Sequence, residues 1–373
     1  MTNFSQSHKP STLEDRIEQL FTNSYRHAER LHRSDLIGDI EKLWRVLTLE
    51  RADSIASYFK NAGLRRAYMG YYMPLYAAKI ALLLQRLAKE GSLPAFAEKP
   101  LRVLDLGSGP LVGVLASRLA FGPLKRAIAV DREIGPMRSG YEFLKPFLEE
   151  DEAQQIFLRR GNLSVPQSFD FQEPFDLIIL SHVLNEFGSS SRFLPKKLSL
   201  ILSAIKMLSD GGRMLIVEPG NRVCSRDLMA LRDALFEEAS VSILAPCTGI
   251  DQCPLLKNST DWCHGELNWR RPAACAKVDQ IIGFDKSMLK YSYLLLSKKE
   301  QRPENDVENW RVVSGNMFHE GVVRRYVCTP SELLTLSQKE SPTRSVLTPL
   351  VRGELITSSR FDERVQVLNE KAK

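Results

Sequence analysis

Apolar and polar positions follow two regimes along the chain. Up to about residue 95 the apolar residues recur at helical spacing. Leu13, Ile17, Leu20 and Phe21 share one helical face, opened by a capping box from Ser11 to Glu14. A second helix is expected over 75–89, ended by Gly91. From position 101 onward, short apolar runs of strand length alternate with helical stretches. The runs are 101–104, 127–130, 156–159, 175–180 and 213–217. Such alternation predicts an α/β fold, a parallel sheet with helices on both faces. A helix over 226–239 follows. Residues 245–285 then carry cysteines, tryptophans and prolines with no clean period. Strand character returns at 291–297, expected as the sixth strand, and at 322–327, expected as the antiparallel seventh. The pattern divides the chain into a helical region (1–95), a core (96–330) containing the insertion 245–285, and a polar extension (331–373).

The ends of the runs carry the candidate chemistry. The first closes on Asp105 and a turn, Gly107-Ser108-Gly109-Pro110-Leu111-Val112-Gly113, before a helix begins. A strand, a glycine turn and a helix form the unit by which doubly wound domains bind nucleotides. A dinucleotide fingerprint needs its third glycine where Val112 stands, and Pro110 stiffens a loop that a pyrophosphate wants rich in amides. The run instead resembles motif I of class I S-adenosylmethionine methyltransferases, with Leu111 in the place of that motif's last glycine. Asp131 ends the second run, twenty-six positions after Asp105, where a carboxylate can accept ribose hydroxyls. Asn162 and Leu163 follow the third run, where methyltransferases commonly hold adenine. Ser181 ends the fourth, followed by His182, Val183, Leu184, Asn185 and Glu186. The expected cofactor residues are therefore Asp105, Gly107, Ser108, Gly109, Asp131, Asn162, Leu163 and Ser181.

Charge and cysteine content narrow the class. The 373 residues carry a net charge of +6, a mild excess compatible with a phosphate-bearing partner. No apolar run approaches the ~20 residues of a membrane span, and the first residues lack a secretory pattern, so a cytoplasmic protein with no membrane partner is expected. All six cysteines lie at or beyond Cys224. Cys247, Cys253 and Cys263 fall in the insertion, and Cys328 ends the last strand-like run. Thiolates are soft ligands for zinc or for an iron–sulfur cluster. Zinc sites favour closer pairs than Cys247-x₅-Cys253, so a four-thiolate cluster suits this spacing better, with zinc, or buried apolar thiols holding no metal, as the alternatives. Cys224 and Cys275 read as buried thiols.

Arg65, Tyr68, Tyr71, Tyr72 and Pro74, the Asp105–Pro110 loop, the 181–186 run and the Pro246-Cys247-x₅-Cys253-Pro254-Leu255 segment together resemble the methyltransferase-like proteins of the small ribosomal subunit. That family is best known from mitochondria and has bacterial members; the resemblance covers about residues 60–350. It implies a Rossmann-like seven-stranded sheet, a [4Fe-4S] cluster on Cys247, Cys253, Cys263 and Cys328, and binding to small-subunit ribosomal RNA or the pre-ribosomal subunit. The chain departs from the family at Leu111 and in the gap to Cys263.

Methyl transfer from a sulfonium depends largely on positioning. No Asn/Asp-Pro-Pro-aromatic segment and no cysteine nucleophile follows the fourth run, so the catalytic residues are unknown. His182 or Glu186 could serve as a base or cap the next helix. Arg65, Arg66, Arg270 and Arg271 are the expected phosphate contacts of a monomer. Tyr68, Tyr71 and Tyr72 could stack RNA bases or pack on the core. An rRNA methyltransferase, a non-catalytic assembly factor and, more remotely, a small-molecule methyltransferase remain the alternatives.

Overall fold

The computed structural model describes residues 12–31, 35–48, 58–94, 96–188, 190–247, 252–299 and 309–369. Its centre is five parallel strands: β1 (Arg102–Leu106), β2 (Arg126–Asp131), β3 (Ile156–Arg160), β4 (Phe175–Ser181) and β5 (Leu208–Pro219). β6 (Val241–Ala245), the short β7 (Gly265–Asn268) and β8 (Met288–Lys298) complete an eight-stranded sheet. Its order is β3-β2-β1-β4-β5-β8-β6, with β7 also paired to β8. β8 runs antiparallel to β5 and β6. An antiparallel strand wedged between the fifth and sixth is the class I methyltransferase arrangement. The chain winds outward from β1 to β3 and resumes at β4 on the other side of β1, so a crevice opens at the carboxyl ends of β1 and β4.

Helices cover both faces. Alternate strand residues face opposite layers: Val103 packs in one core and Leu104 in the other. The first layer holds α1 (Leu13–Leu31), α2 (Leu36–Thr48), α3 (Ala62–Ala67), α4 (Met73–Lys89), α5 (Val112–Phe121), α6 (Ile134–Leu144) and, after α7 (Glu150–Gln154) and the two helices below, α10 (Ala273–Ile282). α8 (Leu194–Ile205) and α9 (Arg222–Phe236) form the second. Central strands buried on both sides read as unbroken apolar runs, which is why β1 and β4 stand out in the sequence. α1 opens one residue later than the expected capping box. Thr12 Oγ1 accepts the Asp15 amide hydrogen at 3.1 Å and donates to Asp15 Oδ2 at 2.8 Å; Ser11 lies outside the described residues.

Two strand assignments change. The sixth strand is β6, a five-residue element abutting Pro246, and the 291–297 run is the heart of the antiparallel β8. The 322–327 run leaves this sheet altogether. It lies in β11 (Val322–Cys328), within a second, antiparallel sheet of order β13-β9-β11-β12-β14, with β10 paired to β11. The other members are β9 (Asn309–Val312), β10 (Met317–His319), β12 (Leu333–Lys339), β13 (Leu355–Thr357) and β14 (Gln366–Asn369). The physical reason is a separate core: Trp310, Val312, Val323, Val327, Leu334, Leu336 and Ile356 bury one face of this sheet among themselves. Buried Arg311 links the sheets, pairing with Glu90 at 2.9 Å and donating to the carbonyls of Pro246 and Gly353, each at 3.0 Å. Among the described residues no helix is long and apolar enough to cross a membrane.

Candidate functional site

The loop after β1 is organised from beneath by Asp105. This carboxylate is 1% exposed, and its Oδ2 accepts Ser108 Oγ–H at 2.8 Å, the Gly113 amide at 2.9 Å and the Val114 amide at 3.1 Å. It caps the start of α5 and holds the glycine turn in shape. Burial outweighs these bonds and pushes its pKa up to about 6. Two glycines are enforced sterically. A Cβ on Gly107, whose φ is +73°, would lie 2.3 Å from Val183 Cγ2, and one on Gly113 would lie 2.5 Å from Asp105 Oδ1. Leu111 takes the left-handed conformation (φ 63°, ψ 36°) that the motif's glycine would adopt. That costs roughly 1–2 kcal/mol, offset by complete burial of its side chain.

Asp131 reaches the loop from the end of β2. Its Oδ2 accepts the Gly109 amide hydrogen at 2.9 Å, and its Oδ1 accepts that of Glu133 at 2.9 Å. Above this pair opens a cavity of about 480 Å³, lined by Asp105, Gly107, Ser108, Gly109, Asp131 and Ser181 among others. Asn162 and Leu163 are not part of its wall. Asn162 is exposed, with its Oδ1 accepting the Ser164 amide at 3.0 Å, and Leu163 packs on the second core. Six of the eight expected residues are thus brought together, and two are not.

The cavity has walls that sequence reasoning missed. α3 runs into α4 through a wide π-type turn, Tyr68–Tyr72, and the combined element presents Tyr68, Tyr72, Tyr76 and Lys79 to the cavity. Lys79 Nζ lies 3.2 Å from His182 Nε2, and the Tyr76 ring stacks on His182 at 4.2 Å. His182 has φ 58°, held by its amide donating to the Val217 carbonyl at 2.8 Å. The following turn is held by buried Glu218, which accepts the Leu184 amide at 2.8 Å and Asn185 Nδ2–H at 2.9 Å. Burial raises the Glu218 pKa to about 7. Glu186 lines the rim with its side chain exposed. The tyrosines near Pro74 were visible in the sequence; their meeting with His182 is tertiary.

A second, smaller cavity of about 60 Å³ lies between the two sheets. Cys247, Cys253, Cys263 and Cys328 all line it, beside Arg232 and Arg311. Burial, and then the neighbouring Cys247 sulfur, push the thiol of Cys253 up to about 11 and that of Cys263 up to about 12; Cys328 is raised as well. Among the described residues no group of three or more His, Cys, Asp or Glu side chains is arranged to hold a metal ion. Four thiols beside two guanidiniums are soft donors of the kind zinc or an iron–sulfur cluster takes as thiolates, though they are not gathered around one point here. Cys224 and Cys275 are buried elsewhere.

Solved structures similar to parts of this chain include an O-methyltransferase family protein from Burkholderia thailandensis, 16% identical, covering 72% of this chain and 73% of that one at a TM-score of 0.36. An rRNA methylase from Streptococcus thermophilus is 12% identical, covering 55% and 92% at 0.32. No curated protein sequence gives a significant match. The sequence profile described as mitochondrial small ribosomal subunit Rsm22 matches residues 65–352. The chain belongs to the Rsm22 family.

The stretch shared with the Rsm22 family includes the glycine loop, the 480 Å³ cavity lining from Tyr68 onward and all four cysteines of the smaller cavity. It also includes the arginines expected to touch RNA, and for Arg66 the structure corrects the expectation. Arg66 is 4% exposed and ion-paired with Asp39, so it serves the fold. Arg65 donates to the Phe59 carbonyl at 3.1 Å, Arg271 pairs with Asp279 at 3.1 Å, and exposed Arg270 pairs with Asp15 at 2.7 Å. Tyr71 donates to Asp279 and is packed in the core, whereas Tyr68 and Tyr72, also largely buried, line the large cavity.

Proposed function

We propose that this member of the Rsm22 family binds S-adenosylmethionine in the 480 Å³ cavity and acts on small-subunit ribosomal RNA during subunit assembly. The observation that carries the reading is the tie between Asp131 and the Gly109 amide at the cavity floor, in the crevice where the sheet order reverses. Asp131 would hold the ribose, Gly107, Ser108 and Gly109 the methionine portion, and Asp105 would keep the loop in shape. Ser181 remains on the cavity wall; Asn162 and Leu163 would need another arrangement to reach the adenine. Bound there, S-adenosylmethionine supplies a methyl group on a sulfonium.

The same reading assigns a structural [4Fe-4S] cluster to Cys247, Cys253, Cys263 and Cys328, with a single zinc as the alternative. Cluster binding would draw the four sulfurs together and replace their protons, joining the insertion to β11. The test of the RNA assignment is recovery of the RNA bound to the protein in cells, with small-subunit rRNA methylation compared with and without the gene. Enrichment of small-subunit rRNA with loss of one methyl mark is the expected result. Enrichment with unchanged methylation would identify a non-catalytic assembly factor, and no enrichment would reject the assignment.

A further inference from the structure

The cavity beside the glycine loop is unusually aromatic. Trp44, Phe59, Tyr68, Tyr72 and Tyr76 line it, flat side chains against which a planar heteroaromatic ring can stack. Three amines also line it, Lys79, Lys286 and Lys290, and of these Lys79 is the buried one. Lys79 is 6% exposed, with Nζ 3.2 Å from His182 Nε2 and 4.9 Å from the centroid of the Tyr76 ring. A buried ammonium is ordinarily matched by a carboxylate at contact distance. Here the contacts are an imidazole nitrogen and a ring face, while the charges of Lys286 and Glu218 act on the amine from farther away. Burial is the main reason its pKa falls to about 7, with Lys286 adding to the fall and Glu218 opposing it. His182 is kept in a strained left-handed backbone, a state that persists where surrounding structure enforces it.

We propose that Lys79 is the general base for N-methylation of a nucleobase unstacked from RNA into this cavity, with His182 and Tyr76 as its positioning residues. The proposal rests on the cofactor reading above. Neutral Nζ donates one N–H to His182 Nε2, which leaves its lone pair for the substrate. As a nitrogen of the base bonds to the methyl carbon, the carbon–sulfur bond breaks and its electron pair stays on sulfur. The proton on that nitrogen passes to Lys79 Nζ. The ammonium so formed gains a charge-assisted hydrogen bond to His182 and a cation–π contact with Tyr76. A base placed near neutrality in this way contributes roughly 10²–10⁴-fold to rate.

The experiment uses the full chain, purified without oxygen, with methyl-labelled S-adenosylmethionine and unmethylated small-subunit rRNA transcript. Single-turnover rate, cofactor affinity by calorimetry and the methylated nucleoside by mass spectrometry are measured together. Lys79→Met should lower the rate by roughly 10²–10⁴-fold with cofactor affinity unchanged. Methylamine should restore part of the rate to Lys79→Ala, in proportion to its free-base concentration. His182→Asn, which tolerates the left-handed backbone, should move the rise of rate with pH to lower pH, because the ammonium loses its acceptor. The product should be an N-methylated base. Wild-type rates in Lys79→Met, or a ribose- or carbon-methylated product, would overturn the base assignment. Wild type that binds S-adenosylmethionine but methylates no RNA would overturn it and leave the cofactor reading standing. Wild type that binds no S-adenosylmethionine would remove both.

Discussion

The Oδ2 atom of Asp105 accepts the amide hydrogen of Gly113 at 2.9 Å, so the acid that ends β1 also fastens the first turn of α5. Gly113 must lack a side chain for that approach, since a Cβ would collide with the same carboxylate. The bond couples an acid and a glycine eight positions apart into one unit.

The titration of Asp105 gives a stability signature. Its pKa rises from an ordinary 3.8 to about 6 on folding, chiefly through burial. The folded state therefore holds this proton more tightly than the unfolded one. Stability contributed by protonated Asp105 is present below about pH 4 and is lost as pH climbs through about 6. The loss is on the order of 3 kcal/mol. Urea unfolding of wild type and Asp105→Asn across this range should show the gap between them shifting in favour of the variant by that amount. Parallel curves would refute it.

Leu111 offers a reversal of the usual helix rule. Alanine normally outranks glycine at helix positions. At a left-handed position the order inverts, because Leu111→Ala loses the buried side chain and keeps the strain, whereas Leu111→Gly loses the side chain and relieves it. Both should destabilise, with alanine worse by roughly 1 kcal/mol. Denaturant midpoints of the two variants decide the matter, and alanine equal to or better than glycine contradicts the assigned backbone.

Arg66 and Arg270 should separate fold from surface. Removing Arg66 strands Asp39 in a largely buried pair and should cost about 3–5 kcal/mol. Removing Arg270, which is exposed, should leave stability unchanged and reduce the salt dependence of RNA binding. Equal thermal shifts in the two variants would contradict this division.

Much of the cavity was legible because buried parallel strands write themselves as apolar runs, each ending in the residue that meets the crevice; Asp105, Asp131 and Ser181 are such ends. β6 was not, being only Val241–Ala245 and running straight into Pro246. The position of β8 between β5 and β6 depends on antiparallel pairing that no local pattern reports. The second sheet hid because its outward positions are polar and β14 is exposed throughout. Asn162 escaped because its loop folds back on Ser168, whose hydroxyl accepts the Asn162 amide at 2.8 Å. His182 was a candidate base in the sequence, but Lys79 gave no such signal, and the two meet only in the tertiary structure.

The cysteine assignment predicts a brown protein. Anaerobic purification should yield about four irons per chain, and serine at Cys253 or Cys263 should abolish the visible absorbance. Because the ligands join the insertion to β11, cluster loss should loosen 252–268 in hydrogen exchange while the central strands β1, β4 and β5 stay protected. One zinc per chain with no colour would keep the site and change the metal. A colourless, metal-free protein with the same exchange pattern would remove both.

The central claim is that Asp131 and the glycine loop form a methyl-donor site. Calorimetry with S-adenosylmethionine on wild type and Asp131→Ala tests it most directly. Loss of a charged acceptor should cost on the order of 1.5–3 kcal/mol, roughly ten- to a hundredfold in affinity. Saturable one-to-one binding by wild type, weakened by that factor in Asp131→Ala, is the predicted result. Equal affinity in the two proteins, or no binding by wild type, would contradict it.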